Sequence, residues 1–344
     1  MAERIYIDPI KEFGAGLLSV EKPARYTGGE YGRLARRDAA FQTLIAFPDL
    51  YEIGMSNQAL RILYNGLNRP HNFPGGPGGE EPSVEVSPPD ISCDRAFAPA
   101  PDFEKLLKEK KTPLYGLDTG ISLGSLDVLM FTLGYELGAG GVLCMLDVSG
   151  IPLHREDRTE KDPIVIAGGP CVSNPLPYAS FIDAFWIGEA EAGFFELAAE
   201  LAALKKAGEG RGGLLEKIAS HPNMWLKGKA AAFRAIDAGF SRGEGEAAVF
   251  PVPSMKIVQH HGALEIMRGC PNGCRFCHAG FWYRPMRQKE AGAVLAEAGA
   301  FITKGGYREI SLSSLSSGDY EGITGLVDSL NRRFSGRHVS FQLP

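Results

Sequence analysis

From Phe41 onward, short runs of apolar residues alternate with amphipathic stretches, and this alternation predicts a parallel sheet covered by helices. The first run, FQTLIAFP, precedes NQALRILYNGLN, in which apolar residues recur at helical spacing. The longer run VLMFTLGYELGAGGVLCML predicts a buried strand followed by a helix. In this N-terminal part the pattern predicts strands at Phe41–Pro48, Leu126–Leu133, Asp162–Pro170 and Phe181–Gly188, and helices at Asn57–Asn68 and Glu189–Ala207.

A second alternation begins near residue 259, after two breaks rich in glycine and proline. The first break, Arg69–Asp90, predicts an insertion or mobile loop, and the second predicts a linker over residues 208–258. The domains expected are therefore a lead segment (1–40), an α/β domain (41–207), the linker (208–258) and a second α/β domain (259–344). The last domain should contain strands at Gly262–Arg268, Arg308–Leu315 and His338–Pro344, and helices at Glu290–Gly306 and Gly322–Phe334.

The second domain holds only two strand–helix–strand crossovers, which would leave a sheet of three parallel strands thinly covered. We therefore expect the chain to be a piece of a longer protein, with a C-terminal continuation.

Composition narrows the class of protein. The 344 residues are 44% hydrophobic and 22% charged, with a formal net charge of −5. This balance is that of a globular protein, and it lacks the clustered positive charge typical of nucleic-acid binding. The N-terminus has no apolar signal segment, and Glu136 with several glycines interrupts the longest apolar run. The sequence predicts a cytoplasmic protein without a membrane partner.

Three of the six cysteines lie within eight residues, in RGCPNGCRFCHAGFWYR. Cys93, Cys144 and Cys171 are isolated and are expected in the core. Cys270, Cys274 and Cys277 follow a predicted strand in a loop whose glycines and proline allow a tight wrap. Four-iron clusters normally take four cysteine ligands, so three local thiols would leave one iron open for a small molecule.

Three other interpretations of this loop remain open. The stretch CRFCH matches the attachment site of a c-type haem, which requires export. Zinc could be held by the three cysteines with His278 or His261. The thiols could also be buried and bind nothing.

The pattern C-x-x-x-C-x-aromatic-C, with Phe276 before the last cysteine, resembles the signature of the radical S-adenosylmethionine (SAM) superfamily. The resemblance implies the first βα units of a partial TIM barrel and a 4Fe–4S cluster on Cys270, Cys274 and Cys277. It also implies that SAM chelates the open iron, that Phe276 contacts the cofactor, and that an electron donor such as ferredoxin or flavodoxin is a partner. In that superfamily, cleavage of SAM yields a 5′-deoxyadenosyl radical.

One segment departs from this resemblance. Where the family often has Gly-Gly-Glu to hold the SAM amino group, this chain has SLSSLSSGD. Ser313, Ser314 and Ser316 are the candidates for that contact. Beyond the cysteines, FWYRPMR adds aromatics and two arginines that could contact SAM or a substrate anion, or shield the cluster.

The N-terminal domain resembles the cobalamin-binding domain, a Rossmann-like parallel sheet that many of these enzymes carry. After the first strand the family has D-x-H-x-x-G, and this chain has DLYEIG, with Asp49 and Gly54 in place and Tyr51 replacing the histidine. A phenol is a poor cobalt ligand at neutral pH, so any cobalamin is expected to bind without histidine ligation. Gly168 and Gly169 are candidates for a close backbone approach to the same ligand.

The sequence thus predicts a radical SAM enzyme with an unknown substrate, which could be RNA, a peptide or a small molecule. One alternative is a cobalamin- or cofactor-binding module without catalysis. Another is an RNA-modifying enzyme similar to the methyl- and methylthiotransferases. No residue can be named as a catalytic acid or base from the sequence.

Overall fold

The computed structural model describes residues 4–69, 90–243 and 250–343. Its contacts divide the chain into two compact units. The N-terminal unit comprises Met1–Ile236 with Val252–Met255, and the C-terminal unit comprises Asp237–Pro251 with Lys256–Pro344. The predicted insertion at Arg69–Asp90 lies almost wholly outside the described residues.

The N-terminal unit is built on a six-stranded sheet with the order β2-β1-β3-β4-β5-β6. Strands β1 to β5 are parallel and β6 is antiparallel to β5. The order 2-1-3-4-5 is one of the common doubly wound arrangements, which confirms the predicted class. The strands are β1 (Phe41–Phe47), β2 (Ile91–Phe97), β3 (Val128–Thr132), β4 (Ile164–Gly168), β5 (Ala184–Trp186) and β6 (Met224–Trp225).

Helices accompany this sheet, and one of them begins within one residue of its predicted start at Asn57. The side chain of Asn57 accepts the Ala59 N–H and caps the helix that begins at Gln58. The helices are α1 (Pro9–Phe13), α2 (Tyr51–Gly54), α3 (Gln58–Asn68), α4 (Pro101–Lys110), α5 (Gly138–Val148), α6 (Phe194–Lys206) and α7 (Arg211–Ser220).

The predicted start of the helix at Glu189 is wrong by five residues. Helix α6 begins at Phe194, because Gly193 adopts a left-handed conformation with φ 111° immediately before it. Glu189 and Glu191 therefore precede the helix instead of lying in its first turn.

Strands β1 and β2 are buried along their whole length, as expected for a parallel sheet covered on both faces. The core includes Leu44, Phe103, Leu129 and Val165. Cys93 and Cys171 are buried and Cys144 is half-buried, so the three isolated cysteines belong to the packed interior.

A buried ionic network explains why the pattern did not predict β2. The Arg95 side chain is fully buried and donates to Glu30 Oε2 at 2.6 Å and to Asp118 Oδ1 at 2.5 Å. Its guanidinium also faces the Tyr64 ring, 5.2 Å from the centroid. Buried charges are tolerated when they are paired and hydrogen-bonded. The polar pair Asp94–Arg95 therefore sits inside a strand whose partners are distant in sequence.

The C-terminal unit contains a three-stranded parallel sheet with the order β11-β10-β7 and an antiparallel pair, β8-β9. The strands are β7 (Gly262–Glu265), β8 (Met267–Arg268), β9 (Arg287–Gln288), β10 (Glu309–Ser313) and β11 (Ser340–Gln342). The helices are α8 (His278–Trp282), α9 (Ala291–Thr303) and α10 (Ile323–Arg333). The predicted strand Gly262–Arg268 is thus broken, because its last two residues pair with β9.

The predicted linker over residues 208–258 contains regular structure. Its first part forms α7 and β6, and β6 extends the N-terminal sheet through the pairs Phe185–Trp225 and Trp186–Met224. A later segment packs within the C-terminal unit, where the Phe240 ring is faced by three cations. The distances to its centroid are 4.7 Å for Arg268, 5.7 Å for Arg287 and 5.5 Å for Lys289. In the described part of the chain, no helix has both the length and the apolar character to cross a membrane.

Candidate functional site

The cysteine loop leaves β8 through a glycine that the backbone requires. Gly269 has φ 86°, and a Cβ there would lie 2.6 Å from the Tyr283 carbonyl oxygen and 2.9 Å from the Met286 Cα. A residue with a side chain would meet both strain and backbone clashes. Gly269 therefore sets the direction in which the chain enters Cys270.

Two of the three thiols in this loop have N–H donors beside them. Gly280 N–H donates to Cys277 Sγ at 3.3 Å, so Cys277 caps α8. The Asn272 side-chain amide lies 3.6 Å from Cys270 Sγ. Soft thiolates suit iron–sulfur clusters, and hydrogen bonds to sulfur tune their potential. The donor set therefore fits the expected cluster.

Among the described residues, the side chains of this loop do not form a preorganised metal site. Cys270 and Cys277 are half-buried, and Cys274 is exposed. Over residues 4–69, 90–243 and 250–343, no group of three or more His, Cys, Asp or Glu side chains is positioned to hold a metal ion. The structure thus places the three thiols in one loop, and their role as ligands stays a prediction.

Asn272 also joins the loop to the segment that follows β10. Its amide donates to Asp319 Oδ2 at 2.9 Å, and Ser316 Oγ donates to the same oxygen at 2.6 Å. Asp319 was not among the candidates predicted from the sequence. The sequence did contain a signal for Asp319, because the stretch SSGD follows β10, which is parallel to β7. Parallel strands bring their carboxyl ends to the same edge of the sheet.

The serines proposed for SAM lie at this same edge. Ser313 is the last residue of β10. The Ser314 and Ser317 hydroxyls are 2.8 Å apart, and Ser314 Oγ also accepts the Ser316 N–H at 3.2 Å. Ser314 thus supports the turn itself, while Ser316 contacts Asp319.

The aromatic residues of the loop differ in exposure. Phe276 is 91% exposed, so its ring is accessible to a ligand. Arg284 lies over the Phe281 ring at 4.7 Å and donates to the Gly280 carbonyl at 3.0 Å. Arg287 donates to the Asp237 carbonyl at 2.8 Å. Both arginines therefore support the local backbone.

In the N-terminal unit, Tyr51 is buried and turned toward the interior. Its hydroxyl hydrogen-bonds the Glu30 carboxylate and accepts the Ser254 N–H at 3.2 Å. Burial, and then the Glu30 charge, raise the pKa of Tyr51 well above its ordinary value. A protonated phenol with two internal partners does not fit a cobalt ligand, so Tyr51 does not take the place of the histidine of a cobalamin site.

The other residues of that predicted site also have internal contacts. A Cβ at Gly54 would lie 2.3 Å from the Phe97 ring. Asp49 accepts the Leu50 N–H at 2.7 Å through Oδ1 and the Tyr135 hydroxyl at 2.6 Å through Oδ2. Contacts within the fold therefore explain both residues at the end of β1: Gly54 packs closely against Phe97, and Asp49 accepts two hydrogen bonds.

The two glycines at the end of β4, Gly168 in the strand and Gly169 directly after it, serve different purposes. Gly169 has φ 107°, and a Cβ there would lie 2.5 Å from the Leu133 carbonyl oxygen. At Gly168 the nearest atoms to such a Cβ are 4.0 Å away, in Trp186. Gly169 is therefore required by the close approach of the chain after β3, whereas Gly168 is not required by space.

Two family models match the chain. Residues 86–226 match the model described as radical SAM proteins, N-terminal, and residues 264–344 match the radical SAM superfamily model. The second match contains the three clustered cysteines, Phe276 and the serine segment.

A relative and two solved structures are similar to the chain. The relative is the uncharacterized protein MJ0966 of Methanocaldococcus jannaschii, 26% identical over 261 residues that cover 73% of this chain and 51% of the relative. The structures are of the radical SAM methyltransferase TsrM from Kitasatospora setae. One, with tryptophan substrate and a SAM analog, has a TM-score of 0.49, and the other, with cobalamin and a 4Fe–4S cluster, has 0.45. Both are 13% identical and cover 87% of this chain, which spans 54% and 55% of them. The chain thus spans about half the length of the proteins that it matches.

Proposed function

This chain belongs to the radical SAM superfamily, and on that premise we propose that the protein is an enzyme that cleaves SAM at a 4Fe–4S cluster. The ligands would be Cys270, Cys274 and Cys277. The observation that carries the proposal is their position in one loop, at the edge where β7 and β10 end, inside the segment that matches the superfamily model.

When bound, the reduced cluster supplies the electron that splits SAM into methionine and a 5′-deoxyadenosyl radical. The chain's own residues would hold and shield this reaction. Cys270, Cys274 and Cys277 would hold the cluster, and with three cysteine ligands instead of four one iron would be left open to the amino and carboxylate groups of SAM. The exposed Phe276 ring would contact SAM, and Ser313, Ser314 and Ser316 would lie beside its amino group.

The proposed enzyme would need an electron donor and a substrate as partners. An electron donor such as ferredoxin or flavodoxin would reduce the cluster, and the substrate would be RNA, a peptide or a small molecule. Cobalamin, which the sequence resemblance also suggests, would be held without a ligand from Tyr51, and no step depends on it. The proposed setting is the cytoplasm.

Alanine substitution of each clustered cysteine tests this function. We expect C270A, C274A and C277A each to reduce 5′-deoxyadenosine formation to the level measured without enzyme. The reason is that a cluster held by only two thiolates would no longer bind SAM in the productive way. Cys144→Ala is the matched control, since this half-buried thiol lies in α5, and it should keep full activity. The measurement is anaerobic turnover of SAM with a chemical reductant. Retained cleavage in any of the three variants would refute the assignment.

The same assay separates the two alternatives. A cofactor-binding module without catalysis predicts no SAM cleavage in the reconstituted natural protein. An RNA methyl- or methylthiotransferase predicts cleavage that is stimulated by RNA and not by peptides.

A further inference from the structure

A cavity of about 270 Å³ opens in the N-terminal unit, beside the segments that follow β3 and β4. One wall is the face of α5, and the other is the segment that follows Gly169. In open α/β sheets, ligands bind in the crevice outside the carboxyl ends of the strands. The cavity lining includes Glu136, Ala139, Cys171, Asn174, Pro177 and Tyr178.

The lining combines apolar walls with polar groups. Val142, Leu143 and Phe181 contribute apolar surface, while the polar groups are a carboxylate, a thiol, an amide and a phenol. Small-molecule sites typically show this combination of apolar walls and a few convergent polar groups. Among the described lining residues, Glu136 is the only one with a charged side chain at neutral pH.

The charge of Glu136 affects its neighbours in the cavity. Burial, and then the Glu136 carboxylate, raise the pKa of the Cys171 thiol to about 11. Burial, followed by Cys171 and Glu136, also raises the pKa of Tyr178. The thiol and the phenol therefore stay neutral at pH 7, and Cys171 is not a thiolate nucleophile. A cationic ligand group would be favoured over an anion here.

Exposed apolar side chains neighbour the lining residues along the chain. Leu137, next to Glu136, is 85% exposed, and Leu176, next to Pro177, is 69% exposed. Tyr135 on the same loop is 44% exposed.

We propose that this cavity binds a small organic cation, a protonated amine that carries an aromatic or aliphatic body. The ammonium group would pair with Glu136, and Tyr178 and Asn174 would supply further hydrogen-bonding groups. The body would lie against Val142, Leu143 and Phe181. The cavity lies wholly in the N-terminal unit, so the proposal does not depend on the radical chemistry.

Three probes of similar shape and different charge test the proposal on the full chain by titration calorimetry. These are phenethylamine, phenethyl alcohol and 3-phenylpropionate. The wild type should bind the amine, should bind the alcohol at least about tenfold more weakly, and should not bind the anion. Glu136→Gln keeps the shape and should weaken amine binding about tenfold. Glu216→Gln, which removes an exposed carboxylate on α7 away from the cavity, should bind as the wild type does.

A cavity-filling variant and a competing ligand test whether the amine binds in this cavity. Ala139→Phe fills the cavity and should abolish amine binding, while circular dichroism reports whether the variant is folded. The proposal is overturned if the wild type does not bind the amine, if the three probes bind equally, or if E136Q binds as E216Q does. Displacement of bound amine by hydroxocobalamin would also overturn it, because the cavity would then belong to a cobalamin site.

Discussion

Asn272 is the residue whose contacts most directly join the cysteine loop to its surroundings. Its amide reaches both Cys270 Sγ and the Asp319 carboxylate. The Asp319 carboxylate fixes the amide, and the amide presents N–H to the sulfur. We infer that this pair positions the loop and that neither residue is a metal ligand.

Asn272→Ala should therefore change the reduction potential of the cluster, while the cluster still assembles. Loss of an N–H donor beside a ligand sulfur should lower the reduction potential, by an amount on the order of tens of millivolts. Anaerobic redox titration followed by electron paramagnetic resonance measures the shift, and iron content reports assembly. The matched control is Ser329→Ala in α10, whose hydroxyl contacts only the Gly325 carbonyl among the described contacts. An unchanged potential in N272A would contradict the positioning role.

Glu52 makes the stability of the N-terminal unit depend on pH. Burial alone would raise its pKa, but hydrogen bonds from Arg25 and Lys22 outweigh burial and lower the pKa to about 2. A carboxylate with a lowered folded-state pKa stabilises the fold above its unfolded pKa and loses this effect as pH falls. The stabilisation should thus be complete above about pH 5 and decline toward pH 2.

Glu52→Gln should reduce the free energy of unfolding by about 3 kcal/mol at pH 7, and by much less at pH 2 to 3. Urea unfolding followed by tryptophan fluorescence measures this, since Trp186 and Trp225 lie in the same unit. Glu109→Gln is the control, because its ion pair with Lys105 is exposed and should contribute under about 0.5 kcal/mol. A difference between wild type and E52Q that stays constant with pH would show that the carboxylate charge is not responsible.

At the scale of elements, the strand–helix alternation predicted most of both sheets, whereas elements stabilised by distant residues escaped it. Strands β1, β3 and β4 lie within their predicted ranges, since buried parallel strands are continuous apolar runs. Strand β2 was missed because Arg95 requires Glu30 and Asp118, which are 65 and 23 residues away. A local pattern cannot report such a partner.

A substitution at Gly169, in the turn after β4, shows whether packing or a ligand requires a glycine there. Gly169→Ala should lower the free energy of unfolding by about 2 kcal/mol or more, because of positive φ and the contact with the Leu133 carbonyl. Gly140→Ala is the matched control in α5, where a Cβ meets nothing within 4 Å, and it should stabilise the helix by up to about 1 kcal/mol. Chemical denaturation measures both. A G169A protein as stable as the wild type would leave a ligand as the reason for glycine.

The candidate site shows the same division between local and distant information. Three cysteines within eight residues are a local motif, so the sequence alone indicated cluster chemistry. The contact between Asn272 and Asp319 spans 47 residues and depends on β7 and β10 being neighbours in the sheet. Likewise, Tyr51 aligned with a ligand motif in sequence, yet the fold turns its hydroxyl toward Glu30.

At the scale of the whole molecule, two units are combined in one chain that matches about half the length of its relatives. The C-terminal unit carries the candidate cluster loop, and the N-terminal unit carries a separate cavity. The two proposals can therefore fail independently, since amine binding requires no iron and SAM cleavage requires no occupant of the cavity.

Electron paramagnetic resonance of the anaerobically reconstituted and reduced protein, with and without SAM, tests most directly whether the three cysteines hold a cluster with one iron open to SAM. We expect a four-iron signal whose line shape changes when SAM is added, because SAM would bind the iron that no cysteine occupies. Tightly bound zinc without a cluster, or a four-iron signal that is identical with and without SAM, would contradict this expectation.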